Sequence, residues 1–171
     1  MGITEYSSLG TIVNHTGGLT VSNGLIRHLG GTNQYGLSIK DVNKLEHQRP
    51  THLPLILIVA NDVYGGLFGI NIGMKISRVG NVLYLPPDEY VWEDLGVGHT
   101  AFLQWSINGD VKTFFKKYRF LQIPENVPYN KVVSFDPPLW SADITKTSFK
   151  ITQIHTKKMY AIRLGILREL P

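Results

Sequence analysis

LILIVANDVYGGLFGINIG (55–73), GNVLYLPPDEYVWEDLG (80–96) and HTAFLQWSINGDVKTFFKKY (99–118) are the stretches that decide the fold of this chain. The first opens with Leu55–Ala60, which is apolar without alternation and therefore predicts a central strand covered on both faces. Together the three stretches predict three or four strands joined by tight turns, followed by one or two amphipathic helices.

The strands that follow this apolar run are marked by alternation and by turn residues. Asn61–Gly65 is the predicted turn, because Asn, Asp and Gly accept the backbone angles that turns require. The next predicted strands cover residues 66–72, 81–85 and 89–95. Tyr90 and Trp92 share one face of the last of these, since they are two residues apart.

Two helices are predicted after these strands. The first covers about His99–Ile107, and Asn108-Gly109 can end it. Asp110 can cap the second helix, although one continuous helix is also compatible with the pattern. The second helix carries a core stripe at i, i+3, i+4 and i+7, formed by Val111, Phe114, Phe115 and Tyr118.

The segments outside this central region are shorter. A helix over residues 7–15 with a serine near its N-cap is followed by two short strands, 19–21 and 25–29, joined by Asn23-Gly24. Ser38–His47 predicts another helix, with Ser38 as its cap. Prolines make a long helix within 121–150 unfavourable. Residues 156–170 return to helix, with one apolar side formed by Met159, Ile162, Ile166 and Leu170.

These elements predict a single α+β domain over residues 1–171, with a mainly antiparallel central sheet and helices packed on one face. The predicted core unit covers about 7–120, and a C-terminal extension, 121–171, ends in a helix. The chain has no cysteine, which excludes disulfides and thiolate metal sites. Its six histidines lack the spacing of a metal pair, so no metal, cofactor or catalytic residue is predicted. No membrane span or signal peptide is evident, and the expected location is the cytoplasm.

Charge is distributed unevenly along the chain. Residues 1–109 carry 6 Lys and Arg against 8 Asp and Glu, whereas residues 110–171 carry 11 against 5. A basic C-terminal third could meet nucleic acid. The favoured interpretation is that its lysines solvate helix faces, because lysine is rarely buried in soluble proteins.

Five glycines are interpreted as structural turn residues: Gly17, Gly18, Gly24, Gly65 and Gly66. At least one in each of the pairs 17–18 and 65–66 is expected to have a positive φ. A phosphate-binding loop at 65–69 is disfavoured, because such a loop requires a helix after the glycines and these glycines open a predicted strand.

Six short stretches point to a known family: HTGGL (15–19), NGLIRHLG (23–30), ANDVYGGLF (60–68), YLPPD (84–88), WEDLG (92–96) and FLQW (102–105). In these stretches the chain resembles a bacterial family known as domain of unknown function 2625. Family members carry a further N-terminal helical segment, which implies that this chain is a short or trimmed version. The order of elements is more distantly similar to the SUKH superfamily, a resemblance that implies an immunity-type protein able to bind and neutralise a bacterial toxin.

The function expected from these observations is protein binding without catalysis. Aromatic side chains flanked by charges have the composition of an interface hot spot. The predicted protein-binding residues are Asp62, Tyr64, Asp88, Tyr90, Trp92 and Glu93. Two alternatives stay open: a small-molecule-binding protein or enzyme, and a weak nucleic-acid binder that uses the basic C-terminal third.

Overall fold

The computed structural model of the chain describes residues 4–31, 37–44, 55–141, 143 and 147–169. For residues 166–169 it describes the backbone but not the side chains. The predicted contributions of Ile166, Leu170 and residues 45–47 therefore lie outside the described side chains. Within the described ranges, no helix has the length and apolar character needed to cross a membrane.

A six-stranded antiparallel sheet forms the centre of the fold, and its strands lie side by side in chain order. This order confirms the predicted α+β class and the antiparallel sheet. The strands are β1 (Gly18–Val21), β2 (Ile26–Leu29), β3 (Ile56–Asp62), β4 (Leu67–Asn71), β5 (Asn81–Leu85) and β6 (Glu93–Gly98).

Strand β3 is the interior strand that the apolar run predicts. All seven of its residues are buried, and it pairs with β2 on one side and β4 on the other. The pairing with β2 ends at Ala60, which leaves the backbone of Ile58 without a strand partner on that side. The amide of Asn43 takes this place: it donates to the carbonyl oxygen of Ile58 at 2.8 Å and accepts from its N–H at 2.8 Å. A side chain thus satisfies backbone groups that would be costly to bury unpaired.

Three of the helices begin at a residue whose side chain caps them. The helices of the described residues are α1 (Ser8–His15), α2 (Ile39–Asn43), α3 (His99–Asn108), α4 (Val111–Phe114) and α5 (Thr156–Glu169). Ser7, Ser38 and Asp110 accept backbone N–H groups at the first turns of α1, α2 and α4. The Asp110 cap settles the open alternative in favour of two separate helices after the sheet.

The two faces of the sheet have different covers. Cross-strand partners His28, Ala60, Phe68 and Tyr84 share one face, where Phe68 lies 4.8 Å from the ring of Phe102 in α3. On the other face lie Arg27 and Asn61. Asn61 accepts a hydrogen bond from Tyr160 of α5, and Arg27 donates to backbone carbonyls between residues 127 and 131. The prediction placed helices on one face, and α5 adds a helix to the second.

A small second sheet completes the cover of this second face. It is an antiparallel pair of β7 (Lys131–Asp136) and β8 (Lys150–His155). The N–H of Val133 donates to the carbonyl of Val63, which ties β7 to the turn after β3. Side chains from β7 and α5 join the same hydrophobic core as the central sheet, so residues beyond 120 help to enclose that core.

Four predicted element boundaries need correction. Asn61 and Asp62 belong to β3 rather than to the turn. The helix predicted over 38–47 ends at Asn43, because Lys44 has a left-handed φ of 53°. The strand predicted over 89–95 begins only at residue 93, since the prolines at 86–87 start a turn that occupies 87–88. The second helix after the sheet ends at Phe114 and continues as a 3₁₀ turn over Lys116–Leu121.

Candidate functional site

The turn after β3 is built around a carboxylate that faces inward. Asp62 Oδ1 accepts the N–H groups of Tyr64 and Gly66, each at 2.8 Å, and Oδ2 accepts the hydroxyl of Tyr84 at 2.7 Å. Burial raises the pKa of Asp62 to about 6, against the lowering effect of these three donors. With both oxygens occupied and no exposed surface, Asp62 acts as the anchor of the turn.

The glycines of this turn serve its geometry. Gly65 has a φ of 95°, in the region that favours glycine. At Gly66 a Cβ would lie 2.8 Å from the hydroxyl oxygen of Tyr84, inside the hydrogen bond between Tyr84 and Asp62. The Asp62 anchor and the two glycines therefore hold Tyr64 and Gly65 in place as one wall of a recess.

This recess is apolar and has a volume of about 130 Å³. It lies between the Asp62 turn, the proline turn after β5, the small sheet and α5. We call it the Arg163 recess, after its one permanently charged lining residue. Its lining consists of Tyr64, Gly65, Pro87, Val133, Ser134, Phe135, Pro138, Leu139, Trp140, Ile154, Met159, Ile162 and Arg163.

Arg163 forms part of the recess wall although it is only 3% exposed. Its Nη2 donates to the backbone carbonyls of Pro86 at 2.6 Å and Glu89 at 3.0 Å, which fixes the proline turn against α5. The guanidinium carbon lies 5.1 Å from the centre of the Trp140 ring, a cation–π contact. Its Nε is buried without a hydrogen-bond partner. Burial lowers the pKa of Arg163, yet an arginine side chain keeps its charge in proteins.

An aromatic and acidic rim borders the recess. The rings of Tyr90 and Trp140 are 6.2 Å apart in an edge-to-face arrangement, and both side chains are partly exposed. Val91, next in sequence, is 69% exposed. Glu89 and Glu93 are also exposed, and the described structure gives neither an ion pair. The segment 89–93, which reaches the recess through Tyr90, thus carries exposed apolar and negatively charged side chains, and we call it the rim.

Of the residues predicted to bind protein, three are buried. Asp62, Tyr64 and Trp92 are 0%, 7% and 9% exposed, so the expectation that they lie on an exposed surface is corrected. Asp62 is buried because its carboxylate is a turn anchor, and Tyr64 because its ring stacks near Phe115 and Tyr118.

The other three predicted residues lie along the segment that borders the recess. Asp88 accepts the hydroxyl of Tyr118 and forms an ion pair with Lys117, so its carboxylate is occupied. Tyr90 belongs to the rim through its contact with Trp140, and Glu93 is exposed at the start of β6. The structure brings Tyr64 and Tyr90 to opposite sides of the same recess, the first in its wall and the second at its rim.

The remaining turn glycines lie away from the recess. Gly18 has a φ of 130°, and a Cβ there would be 2.7 Å from the carbonyl oxygen of His28 on the paired strand. Gly24 has a φ of 86° in the turn between β1 and β2. Gly17 is partly exposed between α1 and β1.

Sequence reasoning missed Arg163 and Trp140, the residues that give the recess its charge and its rim. A signal was present for Arg163, because it follows Met159 by four residues and therefore lies on the apolar side of α5. An arginine on the buried side of a helix requires hydrogen-bond partners, and the structure supplies two of them from the proline turn.

A second polar cluster lies in the core on the other face of the sheet. His28 Nε2 is 2.8 Å from Ser106 Oγ, and His99 Nδ1 is 2.8 Å from Ser8 Oγ. Burial lowers the pKa of both histidines to about 4. A serine beside a histidine can form a nucleophile–base pair, but Ser106 is fully buried and its hydroxyl donates to the carbonyl of Leu103. In this arrangement the cluster has no access for a substrate.

The described residues contain no group of three or more His, Asp or Glu side chains arranged to hold a metal ion. The polar side chains that line the Arg163 recess are those of Arg163, Tyr64, Ser134 and Trp140.

Comparison with known proteins gives one family and two bacterial relatives. The family described as "Protein of unknown function DUF2625" matches residues 1–159. YbfG of Escherichia coli is 35% identical over 142 residues, which cover 81% of this chain and 64% of YbfG. An uncharacterized protein of Haemophilus influenzae is 30% identical over 144 residues, which cover 81% of this chain and 63% of that protein. The chain thus spans a little under two thirds of the length of both relatives.

No solved structure matches the chain. The likeness to the SUKH superfamily therefore stays a prediction from the order of elements.

Proposed function

The chain belongs to the DUF2625 family, and we propose that within this family it is a non-enzymatic protein-binding domain whose Arg163 recess takes one apolar side chain of a partner. The observation that carries this proposal is the apolar recess itself, with the partly exposed rings of Tyr90 and Trp140 beside it and the exposed Val91 next to Tyr90 in sequence.

The size of the recess favours a single side chain over a metabolite. Its volume of about 130 Å³ is close to the roughly 150 Å³ of an apolar cavity that accepts benzene. Drug-sized ligands and cofactors occupy pockets of several hundred Å³. A leucine, isoleucine or methionine side chain matches this volume, and insertion of one such anchor is a common source of affinity in protein interfaces.

The chemistry of the recess also favours binding over catalysis. General acid–base chemistry needs a side chain that can exchange a proton near neutral pH, within reach of the substrate. Of the two ionisable lining residues, Arg163 stays protonated, and burial raises the pKa of Tyr64 above its ordinary value of 10. Neither side chain is suited to transfer a proton near neutral pH.

The rim indicates the charge of the partner. Glu89 and Glu93 are exposed and Asp94 follows them, so the segment beside the recess is acidic. Charge complementarity predicts that the partner carries lysine or arginine close to its apolar anchor, which raises the association rate and excludes acidic competitors.

A toxin is the partner class implied by the resemblance to immunity-type proteins. In this proposal the domain binds a toxin in the cytoplasm and blocks it sterically, which requires a stable scaffold and a specific surface but no chemistry. The partner is sought among the proteins encoded next to the gene for this chain.

The test is a titration of the purified chain with each neighbouring gene product, by isothermal calorimetry. Val91→Lys places a positive charge on the acidic rim and should weaken binding by about tenfold or more, since it removes an apolar contact and repels a basic partner. Ile76→Lys is the matched control, because Ile76 is 54% exposed and is absent from the recess lining. Equal affinity for wild type and Val91→Lys would refute the proposed surface.

A further inference from the structure

From the unused donor on Arg163, we infer that the occupant of the Arg163 recess carries a carboxylate beside its apolar group, and that it is the C-terminal residue of the partner chain. This inference rests on the proposed function and names the part of the partner that enters the recess. Arg163 lies beyond the residues that the family model matches, which end at 159.

The first observation is that Arg163 is a buried cation for which the described residues provide no direct ion pair. Buried charges in proteins are normally paired. Within the described part of the chain, the ion pair between Lys117 and Asp88 involves neither Arg163 nor its neighbours in α5. The nearby carboxylate of Asp62 has both oxygens occupied by the turn and by Tyr84. Direct contacts to the guanidinium within the described residues thus come from two backbone carbonyls and the face of Trp140, and Asp62 attracts the charge without touching it.

The second observation is a donor without an acceptor. Nη2 makes both hydrogen bonds of the guanidinium to the proline turn, whereas Nε is buried and has no partner. A buried unsatisfied N–H costs free energy, and each such group in a native structure calls for an explanation. Since Arg163 lines the recess, a carboxylate that enters the recess comes next to its guanidinium, and a shift of that side chain would bring the buried Nε–H within reach.

The third observation is that the rest of the wall is apolar. Leu139, Met159 and Ile162 offer methyl and methylene surface in the same recess. A ligand that satisfies both parts of the wall has an apolar branch and a carboxylate a few bonds apart. The last residue of a protein chain meets this description when its side chain is leucine or isoleucine, and capture of a terminal carboxylate is a known mode of peptide recognition.

The rim adds a preference for the residues before the terminus. In this inference a chain whose last residue lies in the recess leaves it on the side of Tyr90, close to the exposed Glu89 and Glu93. Lysines two or three positions before the terminus would meet this acidic segment, while the terminal carboxylate meets Arg163. The recognised sequence is thus basic and then apolar, with a free C-terminus.

The experiment uses three short peptides and calorimetric titration of the full chain. Acetyl-Lys-Lys-Gly-Leu with a free carboxylate should bind. The same peptide with a C-terminal carboxamide should bind about tenfold or more weakly, because it loses the charge-assisted hydrogen bond to Arg163. Acetyl-Lys-Lys-Gly-Ser with a free carboxylate should also bind weakly, because it keeps the charge and loses the apolar branch.

Two variants assign the binding to the recess. Ile162→Phe fills the recess without altering Arg163 and should abolish binding of the free-acid leucine peptide. Arg163→Gln should remove the preference for the acid over the amide. Because Arg163 also fixes the proline turn, a thermal melt shows whether this variant folds, and Ile162→Phe tests the site if it does not.

The outcomes separate this inference from the proposed function. Equal binding of the acid and the amide would overturn the carboxylate inference and leave an apolar side-chain recess intact. Binding of 4-methylpentanoate without binding of the leucine peptide would overturn the assignment to a chain terminus. Failure of all four probes would overturn the inference, whereas the titrations with neighbouring gene products test the protein-binding function independently.

Discussion

Acidification should destabilise this protein through two buried histidines, and the size of the effect follows from their surroundings. His28 and His99 are 1% and 8% exposed, their rings lie 6.3 Å apart, and His28 Nδ1 and His99 Nε2 have no hydrogen-bond partner. Burial lowers the pKa of each to about 4, from 6.5 in an unfolded chain, and for His28 the nearby His99 lowers it further. The folded state therefore excludes protons that the unfolded state accepts.

The sign and magnitude of this change in the free energy of unfolding follow from proton linkage. Above pH 6.5 both states are neutral at these positions and the histidines cost nothing. As the pH falls toward 4 the unfolded state gains protons first, so stability is lost. At pH 5 the loss is about 2 kcal/mol for each histidine relative to pH 7. Asp62 acts in the opposite direction, because a pKa raised to about 6 favours the folded state at low pH, by about 1 kcal/mol at pH 5.

The expected net change between pH 7 and pH 5 is thus a loss of about 2–3 kcal/mol in the free energy of unfolding. Urea denaturation followed by circular dichroism measures this quantity at each pH. His28→Gln removes one titrating group and keeps an amide that can bond to Ser106, so the gap between this variant and wild type should shift by about 2 kcal/mol over this range. His15→Gln, at an exposed position in α1, is the control. If the stability of His28→Gln changes with pH in parallel with that of wild type, the reasoning is refuted.

Three further predictions concern the core, the turn and nucleic acid. Ile58→Asp should lower the free energy of unfolding by several kcal/mol, since it buries an unpaired charge in the central strand, and an unchanged thermal melt would contradict the position of β3. Gly66→Ala should lower the free energy of unfolding by about 1–3 kcal/mol in a urea melt, because the new methyl group would push Tyr84 away from Asp62. A smaller loss of stability than that caused by Gly24→Ala would count against close packing at Gly66. DNA and RNA binding should be weak and disappear near physiological salt in a fluorescence anisotropy titration, since in the basic C-terminal third Arg163 is buried and Lys117 is paired with Asp88. Binding that persists in salt would support a nucleic-acid function.

The central sheet and the starts of three helices could be predicted from the sequence because their causes are local. An apolar run without alternation is buried only when both faces of its strand are covered, and all residues of β3 are buried. Ser7, Ser38 and Asp110 cap the helices that follow them, because a short polar side chain can reach the backbone N–H groups of the first turn. These relationships extend over three or four residues, which a single sequence displays directly.

The recess could not be predicted, because its parts are distant in the chain. Tyr64, Pro87, Trp140 and Arg163 come from four segments, and their meeting depends on the small sheet, whose strands carry no pattern strong enough to predict them. Asp62 shows the same limit. An aspartate next to a glycine pair is usually exposed in a turn, and its burial here depends on a hydroxyl 22 residues later in the chain.

Asp62 and Arg163 are two buried ionisable side chains near the recess. They differ in how many of their hydrogen-bonding atoms are used, and this difference indicates which side chain serves a ligand. Both oxygens of Asp62 accept from donors within the chain, and its bonds hold the recess wall. Arg163 uses one nitrogen to hold the proline turn and leaves Nε–H unused beside an apolar space. A group with a purely structural role gains stability from every bond it can make, so natural cores rarely leave a charged donor unused. The unused donor therefore distinguishes Arg163 as the lining residue that a partner would complete, while Asp62 sets the shape into which that partner fits.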